Sequence, residues 1–340
     1  MNTLLATAAG LIGSLSFGDG ADQVVVHRRV ETMGTVLWME LEVEERTEGL
    51  RSSEEALRAV DAAEARLSTW TTESELARFL TAKVGEPVEL SPLLAEELRV
   101  AKRLCEETRG AFDPSVGALT QAWGLRSGGR TPKAEELEIA RAACGPDLWQ
   151  LQGNVAVRNN PTLVMDEGGF GKGAALDQAI LCLGRSGVSA ASLNFGGQLA
   201  FLGDAERIVP VADPEDRGLS LMEITVRGGS VATSGAAERG GHIIDPRTGR
   251  PAEDFGSVTV WAETALEADA LSTALFVLGP VEGLALAEEM EGVEAVFIEK
   301  SKPGRKVSVT SGLSKRARSL TTSATGKPVM SLSEQGIAKE

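Results

Sequence analysis

The stretch Asp166-Glu-Gly-Gly-Phe-Gly-Lys-Gly173 decides the fold, because it joins an apolar segment ending at Met165 to an apolar helix predicted to end near Leu183. Glycines at such a turn let the backbone approach a ligand closely, and the start of a helix offers unpaired N–H groups to a phosphate. Lys172 adds a positive charge, and Asp166 can reach a ribose or a ring N–H. The stretch is neither a Walker loop nor a dinucleotide-binding fingerprint. It predicts a strand-to-helix turn that either binds phosphate or only connects the two elements.

The segments on both sides of this turn predict an α+β fold with antiparallel hairpins. Hydrophobic spacing of three to four residues predicts helices, and alternation predicts strands. Ser91 is the expected N-cap of the second helix, and Thr131 that of the third. The predicted helices are 53–67, 92–108, 132–144, a helix that follows Gly173 and ends near 183, 266–278 and 281–291. The predicted strands lie in 23–45, with a break at Met33-Gly34-Thr35, in hairpins at 148–165 and 192–203, and at 221–226, 257–262, 293–299 and 305–310. The first of these hairpins is expected to turn at Asn159-Asn160-Pro161.

Composition excludes several classes of partner. The chain has 340 residues with a net charge of -15, only 4% aromatic residues and no Tyr. An acidic chain with few aromatic rings is a poor match for nucleic acid, so we expect no nucleic-acid partner. The spacing of Cys105, Cys144 and Cys182 fits no zinc pattern, and their apolar surroundings predict buried thiols.

The two ends differ in composition from the centre. Residues 1–23 contain a weakly apolar stretch, 4–17, that has the length of a signal-peptide core but no preceding Lys or Arg. We expect residues 1–23 to be a weak signal-like or disordered segment. Residues 24–313 are expected to form the domain, and 314–340 a basic, Ser/Thr-rich flexible tail. The sequence leaves both export and a cytoplasmic location open.

A second motif, Ala268-Asp269-Ala-Leu-Ser-Thr273, lies on a predicted apolar helix. Asp269 and Thr273 are four residues apart, so they share one face of that helix. A carboxylate, a hydroxyl and a nearby main-chain carbonyl suit a hard cation that keeps waters or phosphate oxygens as its other ligands. The alternative is that Asp269 is a helix cap or one partner of a salt bridge.

A third motif contains one of the two histidines of the chain. It runs Ser234-Gly235, then His242-Ile-Ile-Asp245-Pro-Arg-Thr-Gly249. In one interpretation it is a turn in which Asp245 caps Thr248 or Gly249. In the other, His242 stands near a reacting hydroxyl as a general base. The other histidine, His27, lies in a charged strand.

Taken together, the motifs resemble those of the FAD:protein FMN transferases, the ApbE-like family. The resemblance extends over residues 24–313 and its parts occur in the family's order. They are Met33–Thr35, Ser68–Trp70 with Ser74–Leu76, Gly110–Gly117 with Trp123-Gly124, Asp166–Gly173, Asn194–Gly197, Ser234-Gly235, His242–Gly249 and Asp269–Thr273. The resemblance implies a single compact two-lobed domain with a flavin nucleotide in the cleft between the lobes. It also implies a location on the periplasmic face of a bacterial inner membrane.

The resemblance further implies an activity and its residues. Such enzymes move FMN from FAD onto a Thr or Ser hydroxyl of an acceptor protein and release AMP, in a Mg²⁺-dependent reaction. The metal positions here are Gly169, Asp269 and Thr273, with Ser272 beside them. His242 matches the base, and Lys172 stabilises charge on the pyrophosphate. The FAD positions are Met33, Trp70, Ala111, Phe112, Asp113, Asp166, Lys172 and Ile243.

Some positions depart from the family's pattern. Leu80 stands where Asn is usual, Ala236-Ala237 replaces an aromatic residue, and the segment between Arg239 and His242 is short. These departures leave two alternatives open, an FAD pyrophosphatase that gives FMN and AMP, and a flavin-binding protein without turnover. The acceptor is expected to be another flavoprotein, for example a subunit of a membrane redox complex. Thr325, in Thr321-Thr-Ser-Ala-Thr325, is a further acceptor candidate within the chain itself.

Overall fold

One large antiparallel sheet carries the domain. The computed structural model describes residues 24–235, 241–301 and 304–320. The strands in chain order are β1 (Val24–Thr32), β2 (Thr35–Val43), β3 (Pro87–Glu89), β4 (Trp149–Gln152), β5 (Val155–Arg158), β6 (Ala190–Phe195), β7 (Gln198–Leu202), β8 (Glu206–Ala212), β9 (Ser220–Arg227), β10 (Ser230–Gly235), β11 (Ile244–Asp245), β12 (Arg250–Pro251), β13 (Gly256–Ala262), β14 (Val293–Lys300), β15 (Arg305–Val309) and β16 (Ala317–Ser319). The large sheet has the order β1-β2-β6-β7-β10-β13-β14-β15, and smaller sheets have the orders β16-β9-β8, β3-β5-β4 and β11-β12.

Helices cover one face of the large sheet and the β16-β9-β8 sheet covers part of the other. Val258 and Val260 of β13 face the helices, whereas Trp261 packs with Val296 and Ile298 against the small sheet. This alternation is that of a strand buried on both faces. The helices are α1 (Arg46–Leu67), α2 (Glu75–Thr81), α3 (Pro92–Glu107), α4 (Gly117–Ala122), α5 (Ala134–Arg141), α6 (Gly171–Arg185) and α7 (Ala265–Glu289).

Helix α7 is the apolar centre of the fold. Among the described residues it is the one helix long and apolar enough to cross a membrane by length and composition, with a mean hydropathy of 1.7 in its most apolar window. It packs against α6 and the helix-facing side of β10, β13 and β14, which accounts for this composition. Gly279 (φ 76°) and Pro280 kink it, at the break predicted between residues 278 and 281.

Helices α6 and α7 meet in a close junction. A Cβ at Gly173 would lie 2.2 Å from the carbonyl oxygen of Ala265, so only glycine allows this approach. Asp177, one turn further along α6, caps α7 by accepting the Ala265 N–H at 2.6 Å and the Leu266 N–H at 2.9 Å. Burial raises the pKa of Asp177 to about 6, although both amides act to lower it. The junction therefore fixes the start of α7 relative to the Gly-rich turn.

We expect Asp177→Ala to lower the free energy of unfolding at pH 7.5 by roughly 1–3 kcal/mol, because two buried N–H groups lose their acceptor. In wild type, the Asp177 pKa is higher folded than unfolded, so the folded state holds the extra proton between about pH 4 and pH 6. Wild-type stability from this group falls as pH rises through that window. In urea titrations, the difference in free energy of unfolding between wild type and Asp177→Ala should thus be larger at pH 5 than at pH 7.5. Asp216→Ala, in an exposed loop, is the control; equal differences at both pH values would contradict the raised pKa.

The α+β class with antiparallel sheets is confirmed, and so is Ser91 as the N-cap of α3, whose hydroxyl accepts the Leu94 N–H at 3.3 Å. Two predicted boundaries are wrong. Helix α1 begins at Arg46, and α5 begins at Ala134 without a side-chain cap. The hairpin of β4 and β5 turns at Gly153 (φ 57°), not at Asn159–Pro161, which lie beyond β5. Cys105 is buried, whereas Cys144 and Cys182 are only half-buried.

The C-terminal boundary predicted at Leu313 is also too early. Strand β16 pairs with β9, and the Leu320 N–H donates to the Leu221 carbonyl at 2.9 Å. Arg318 forms an ion pair with Glu223. The first part of the basic segment thus extends the small sheet, because its backbone completes the edge of β9. The expected signal-like segment 1–23 and Thr325 both lie outside the described residues.

Candidate functional site

The Gly-rich turn leads into α6 as predicted, but no strand precedes it directly. Asp166 accepts the Gly168 N–H at 2.9 Å through Oδ1 and so begins a 3₁₀ turn over Glu167–Gly169. The segment before it is an irregular extended stretch that donates from Asp166 N to the Pro114 carbonyl at 2.9 Å. The turn is therefore held against the Gly110–Gly117 segment, and the first amides of α6 follow it.

The predicted metal residues come together at this turn. A Cβ on Gly169 would lie 3.7 Å from Thr273 Oγ1. Asp269 is buried, its Oδ2 accepts the Gly173 N–H at 3.1 Å, and the same oxygen is 3.8 Å from Lys172 Nζ. We call Gly169, Lys172, Asp269 and Thr273 the α6–α7 cluster. It joins residues a hundred positions apart in the chain.

The α6–α7 cluster has the donors that a hard cation requires. Its candidate ligands are one carboxylate, one hydroxyl and one main-chain carbonyl, all of them oxygens. In the part of the chain that the structure describes, no three His, Cys, Asp or Glu side chains are grouped so that they could hold a metal ion. A cation here would therefore keep open positions for water or phosphate oxygens. This chemistry fits Mg²⁺, which dehydrates reluctantly.

Ser272 lies on the other side of Asp269 from Thr273. Its hydroxyl donates to the Asp269 carbonyl at 2.9 Å and is 2.9 Å from Ser234 Oγ at the end of β10. The predicted metal role of Ser272 thus stays a prediction, and its observed contacts tie α7 to β10. Ser234 directly precedes Gly235, the last described residue before the gap at 236–240.

The Ala111–Asp113 segment packs into the core beside the turn. Phe112 forms an edge-to-face contact with Phe170, with ring centroids 6.3 Å apart. Asp113 accepts the Ser115 N–H at 2.8 Å through Oδ1, and burial raises the pKa of its carboxyl. All three side chains are buried. Any contact of this segment with a ligand would come chiefly from its main chain.

Met33 occupies the tight turn between β1 and β2. Its φ of 46° is unusual for a residue with a side chain, and Gly34 follows with φ 71°. The half-buried Met33 side chain packs against the cluster that includes Ala175 and Leu176 of α6. The turn lies beside the β6–β7 turn, where the Gly196 N–H donates to the Val36 carbonyl at 3.1 Å. Positive φ at both residues is the geometry of a two-residue hairpin loop, so the ligand contact of Met33 stays a prediction.

His242 and Ile243 lead into the β11–β12 hairpin. The motif forms a turn in which the Asp245 carbonyl accepts the Gly249 N–H at 2.8 Å, but the Asp245 side chain caps Arg247 N, at 2.9 Å, rather than Thr248 or Gly249. Trp123 Nε1 donates to the Gly249 carbonyl at 2.8 Å and docks the hairpin on the end of α4. Ile243 packs against the main core cluster and His242 is half-buried. Whether His242 also acts as a base stays a prediction.

Four contacts at the rim of the site, beside the Gly-rich turn, had no counterpart in the sequence analysis. Arg126 lies over the ring of Trp70, and it forms ion pairs with Asp166 and Glu167 of the Gly-rich turn. Thr69 donates to Glu167. Arg126 belongs to no motif in the sequence. The one indication of its role was that the adjacent carboxylates Asp166 and Glu167 had no cation assigned to them. Leu80 is half-buried against the core and brings no polar group to the rim.

Comparisons with known proteins identify the family of this chain. The model of the ApbE family matches residues 33–297. An FAD:protein FMN transferase of Klebsiella pneumoniae (strain 342) is 31% identical over 300 residues, which are 81% of this chain and 85% of that protein. A second, from Vibrio cholerae serotype O1, is 32% identical over 257 residues, 71% of this chain and 77% of its own.

Solved structures give the same result. The flavin transferase ApbE from Vibrio cholerae superposes with a TM-score of 0.78 at 28% identity, covering 86% of this chain and 99% of that one. The apo form of the Pseudomonas stutzeri flavinyl transferase ApbE gives a TM-score of 0.75 at 26% identity, covering 86% and 97%. Both the match over residues 33–297 and the shared fold lead to one assignment. The chain belongs to the ApbE family.

Proposed function

We propose that this protein transfers FMN from FAD to a Thr or Ser hydroxyl of an acceptor protein and releases AMP. The observation that carries the proposal is the α6–α7 cluster, which sets an oxygen-rich cation position and Lys172 beside the first amides of a helix. A pyrophosphate is a ligand suited to this combination of a cation, a lysine and free helix amides. Relatives in this family are named for this transfer, and the chain covers 85% of one of them.

Two groups of residues have separate roles: one stabilises the charge of the pyrophosphate and the other accepts a proton. Gly169, Asp269 and Thr273 would hold Mg²⁺, which when bound offsets charge on the pyrophosphate. Lys172 holds a second positive charge at the same place and is oriented by Asp269, 3.8 Å away. His242 accepts the proton of the acceptor hydroxyl at an imidazole nitrogen. The acceptor oxygen bonds to the FMN-side phosphorus, the P–O bond to AMP breaks, and AMP leaves with the electron pair.

Hydrolysis of FAD is the second candidate, favoured by one observation. Leu80 is half-buried and packs on the core. At this position the family pattern described above has Asn. In that reaction water replaces the acceptor hydroxyl and the products are FMN and AMP. The third candidate, flavin binding without turnover, requires that the α6–α7 cluster hold FAD without promoting attack at its phosphorus.

One experiment separates the three candidates. The purified protein is incubated with FAD and Mg²⁺, with and without a flavin-free acceptor protein that carries FMN on a Thr in its mature form. AMP that appears only with the acceptor, together with covalent flavin on it, supports transfer. AMP without the acceptor identifies a hydrolase. Bound FAD without AMP identifies a binding protein, and the same activity in EDTA would contradict the metal.

We further propose that the acceptor is another protein rather than Thr325. The described chain ends at Leu320, which is bonded to β9 on the face of the large sheet opposite α7. This position supports an acceptor from outside, such as a membrane redox-complex subunit. Covalent flavin on the isolated protein that disappears in Thr325→Val would contradict it.

A cell-envelope location, on the periplasmic face of a bacterial inner membrane, is proposed from the resemblance and from residues 4–17, which lie outside the described part. A cytoplasmic location is the alternative. Fusion of residues 1–23 to a reporter that is active only after export distinguishes the two.

A further inference from the structure

Trp70 is an exposed aromatic ring with one face occupied. The Arg126 guanidinium carbon lies 4.3 Å from the centre of the ring, a cation–π contact. With that face covered, Trp70 is still 69% exposed, so its other face is open to a ligand. The ring thus presents one flat apolar face to solvent while its other face is held by a cation. The chemistry suited to its free face is a planar heterocyclic ring.

Arg126 also fixes the loop that carries Trp70. Its Nη1 donates to the Thr69 carbonyl at 3.1 Å, and its Nη2 donates to Thr69 Oγ1 at 2.6 Å. The same Nη2 is 3.1 Å from Asp166 Oδ2 and 3.5 Å from Glu167 Oε2. One guanidinium therefore joins the Trp70 loop to the Gly-rich turn. A lysine could not do this, because it has neither a planar face nor a fork of donors.

The charges at this point favour a role in binding an anion. Asp166 and Glu167 are two carboxylates beside the start of α6, where the pyrophosphate of the proposed substrate would bind. Without a cation next to them they would repel that pyrophosphate. Their side chains are mostly buried, so solvent screens this repulsion poorly. Arg126 offsets part of the negative charge and leaves Lys172 to face the ligand.

We infer that Arg126 is a positioning residue for FAD: it holds Trp70 as a stacking platform for one ring system of the dinucleotide and offsets the Asp166 and Glu167 charges beside the pyrophosphate. The inference rests on the proposed function, because it takes FAD as the ligand. Arg126 acts through Trp70 and the Gly-rich turn and does not take part in proton transfer. Its removal therefore affects substrate binding far more than the chemical step.

The test compares Arg126→Ala with Arg130→Ala. Arg130 lies four residues further along the same segment and is paired on the surface with Glu136, so it is a matched control. Expected for Arg126→Ala is a 10- to 100-fold rise in the Kd for FAD, by calorimetry, and in KM, with kcat within about threefold of wild type. Arg126→Lys should regain part of the affinity through its charge. Arg130→Ala should match wild type.

A double-mutant cycle tests the stacking directly. In a Trp70→Leu background, Arg126→Ala should weaken FAD binding by a smaller factor than in wild type, because the platform is already gone. Unchanged FAD affinity in Arg126→Ala, or the same factor in both backgrounds, would overturn the inference. Thermal melting of each variant shows whether it is folded, and Arg126→Lys serves if Arg126→Ala is not.

This outcome is separable from that of the proposed function. If wild type binds FAD without producing FMN-labelled acceptor, the transfer proposal fails while the Arg126 comparison still holds. If wild type transfers FMN and Arg126→Ala binds FAD normally, only the inference fails.

Discussion

Asp269→Ala is expected to abolish detectable FAD turnover and to remove any strengthening of FAD binding by Mg²⁺. Asp269 is the one carboxylate of the α6–α7 cluster, and its Oδ2 contacts both Gly173 N and Lys172 Nζ. Its loss would deprive a bound cation of its one charged ligand in the cluster and would remove the carboxylate beside Lys172. Several kcal/mol of transition-state stabilisation are expected to disappear, and about 4 kcal/mol is already roughly a thousandfold in rate. AMP release over a Mg²⁺ titration measures the effect.

Two further variants make this result interpretable. Asp269→Asn keeps an oxygen to accept the Gly173 N–H but lacks the charge, so a folded, inactive Asn variant assigns the effect to the cation. Asp254→Ala removes an exposed carboxylate paired with Lys300 and should leave activity unchanged. Activity of Asp269→Asn equal to wild type at every Mg²⁺ concentration would exclude Asp269 as a metal ligand.

His242→Ala is expected to slow transfer by roughly 10²–10⁴-fold while FAD affinity stays near that of wild type. The reason is that His242 would act on the acceptor hydroxyl, whereas FAD is proposed to bind at the α6–α7 cluster and the Gly-rich turn. Single-turnover transfer at saturating FAD, beside FAD affinity by calorimetry, separates the two effects. Added imidazole should restore part of the rate.

The matched control for His242 is the other histidine of the chain. His27 lies on β1, exposed, with Nδ1 3.4 Å from Glu40 Oε2, and His27→Ala should transfer FMN normally. A His242→Ala variant that loses FAD but reaches a normal rate at saturation would identify His242 as a binding residue instead.

Parts of the site were predictable because they depend on local rules. The i,i+4 spacing of Asp269 and Thr273 places them on one face of α7 whatever the helix packs against. A Gly-rich start of a helix with an adjacent Lys172 is equally local. That these two features meet depends on the α6–α7 junction, where Gly173 must approach Ala265, and no spacing along the chain reports that distance.

Other parts depend on contacts that local patterns do not carry. Asn159–Pro161 have the composition of a turn, but β4 already turns at Gly153, and the later residues instead accept a bond from the Arg158 guanidinium at the Pro161 carbonyl, 3.0 Å away. Residues 314–320 look like a solvated tail, yet their backbone pairs with β9. The role of Arg126 could not be predicted, because it depends on contacts with Trp70 and Asp166, which are distant in the chain. In each case tertiary pairing decides over composition.

The order of strands in the large sheet has a consequence for how the chain reaches its folded state. The strands of that sheet lie side by side in the order in which they occur along the chain. The longest connection between two neighbouring strands is residues 44–189, which separates β2 from β6. Closing a loop of that length costs more chain entropy than closing the shorter connections between β13, β14 and β15, although the cost grows only slowly with loop length. Refolding is therefore expected to be limited by a late step in which the β1–β2 hairpin pairs with β6, because that pairing has the largest sequence separation between neighbouring strands of the sheet.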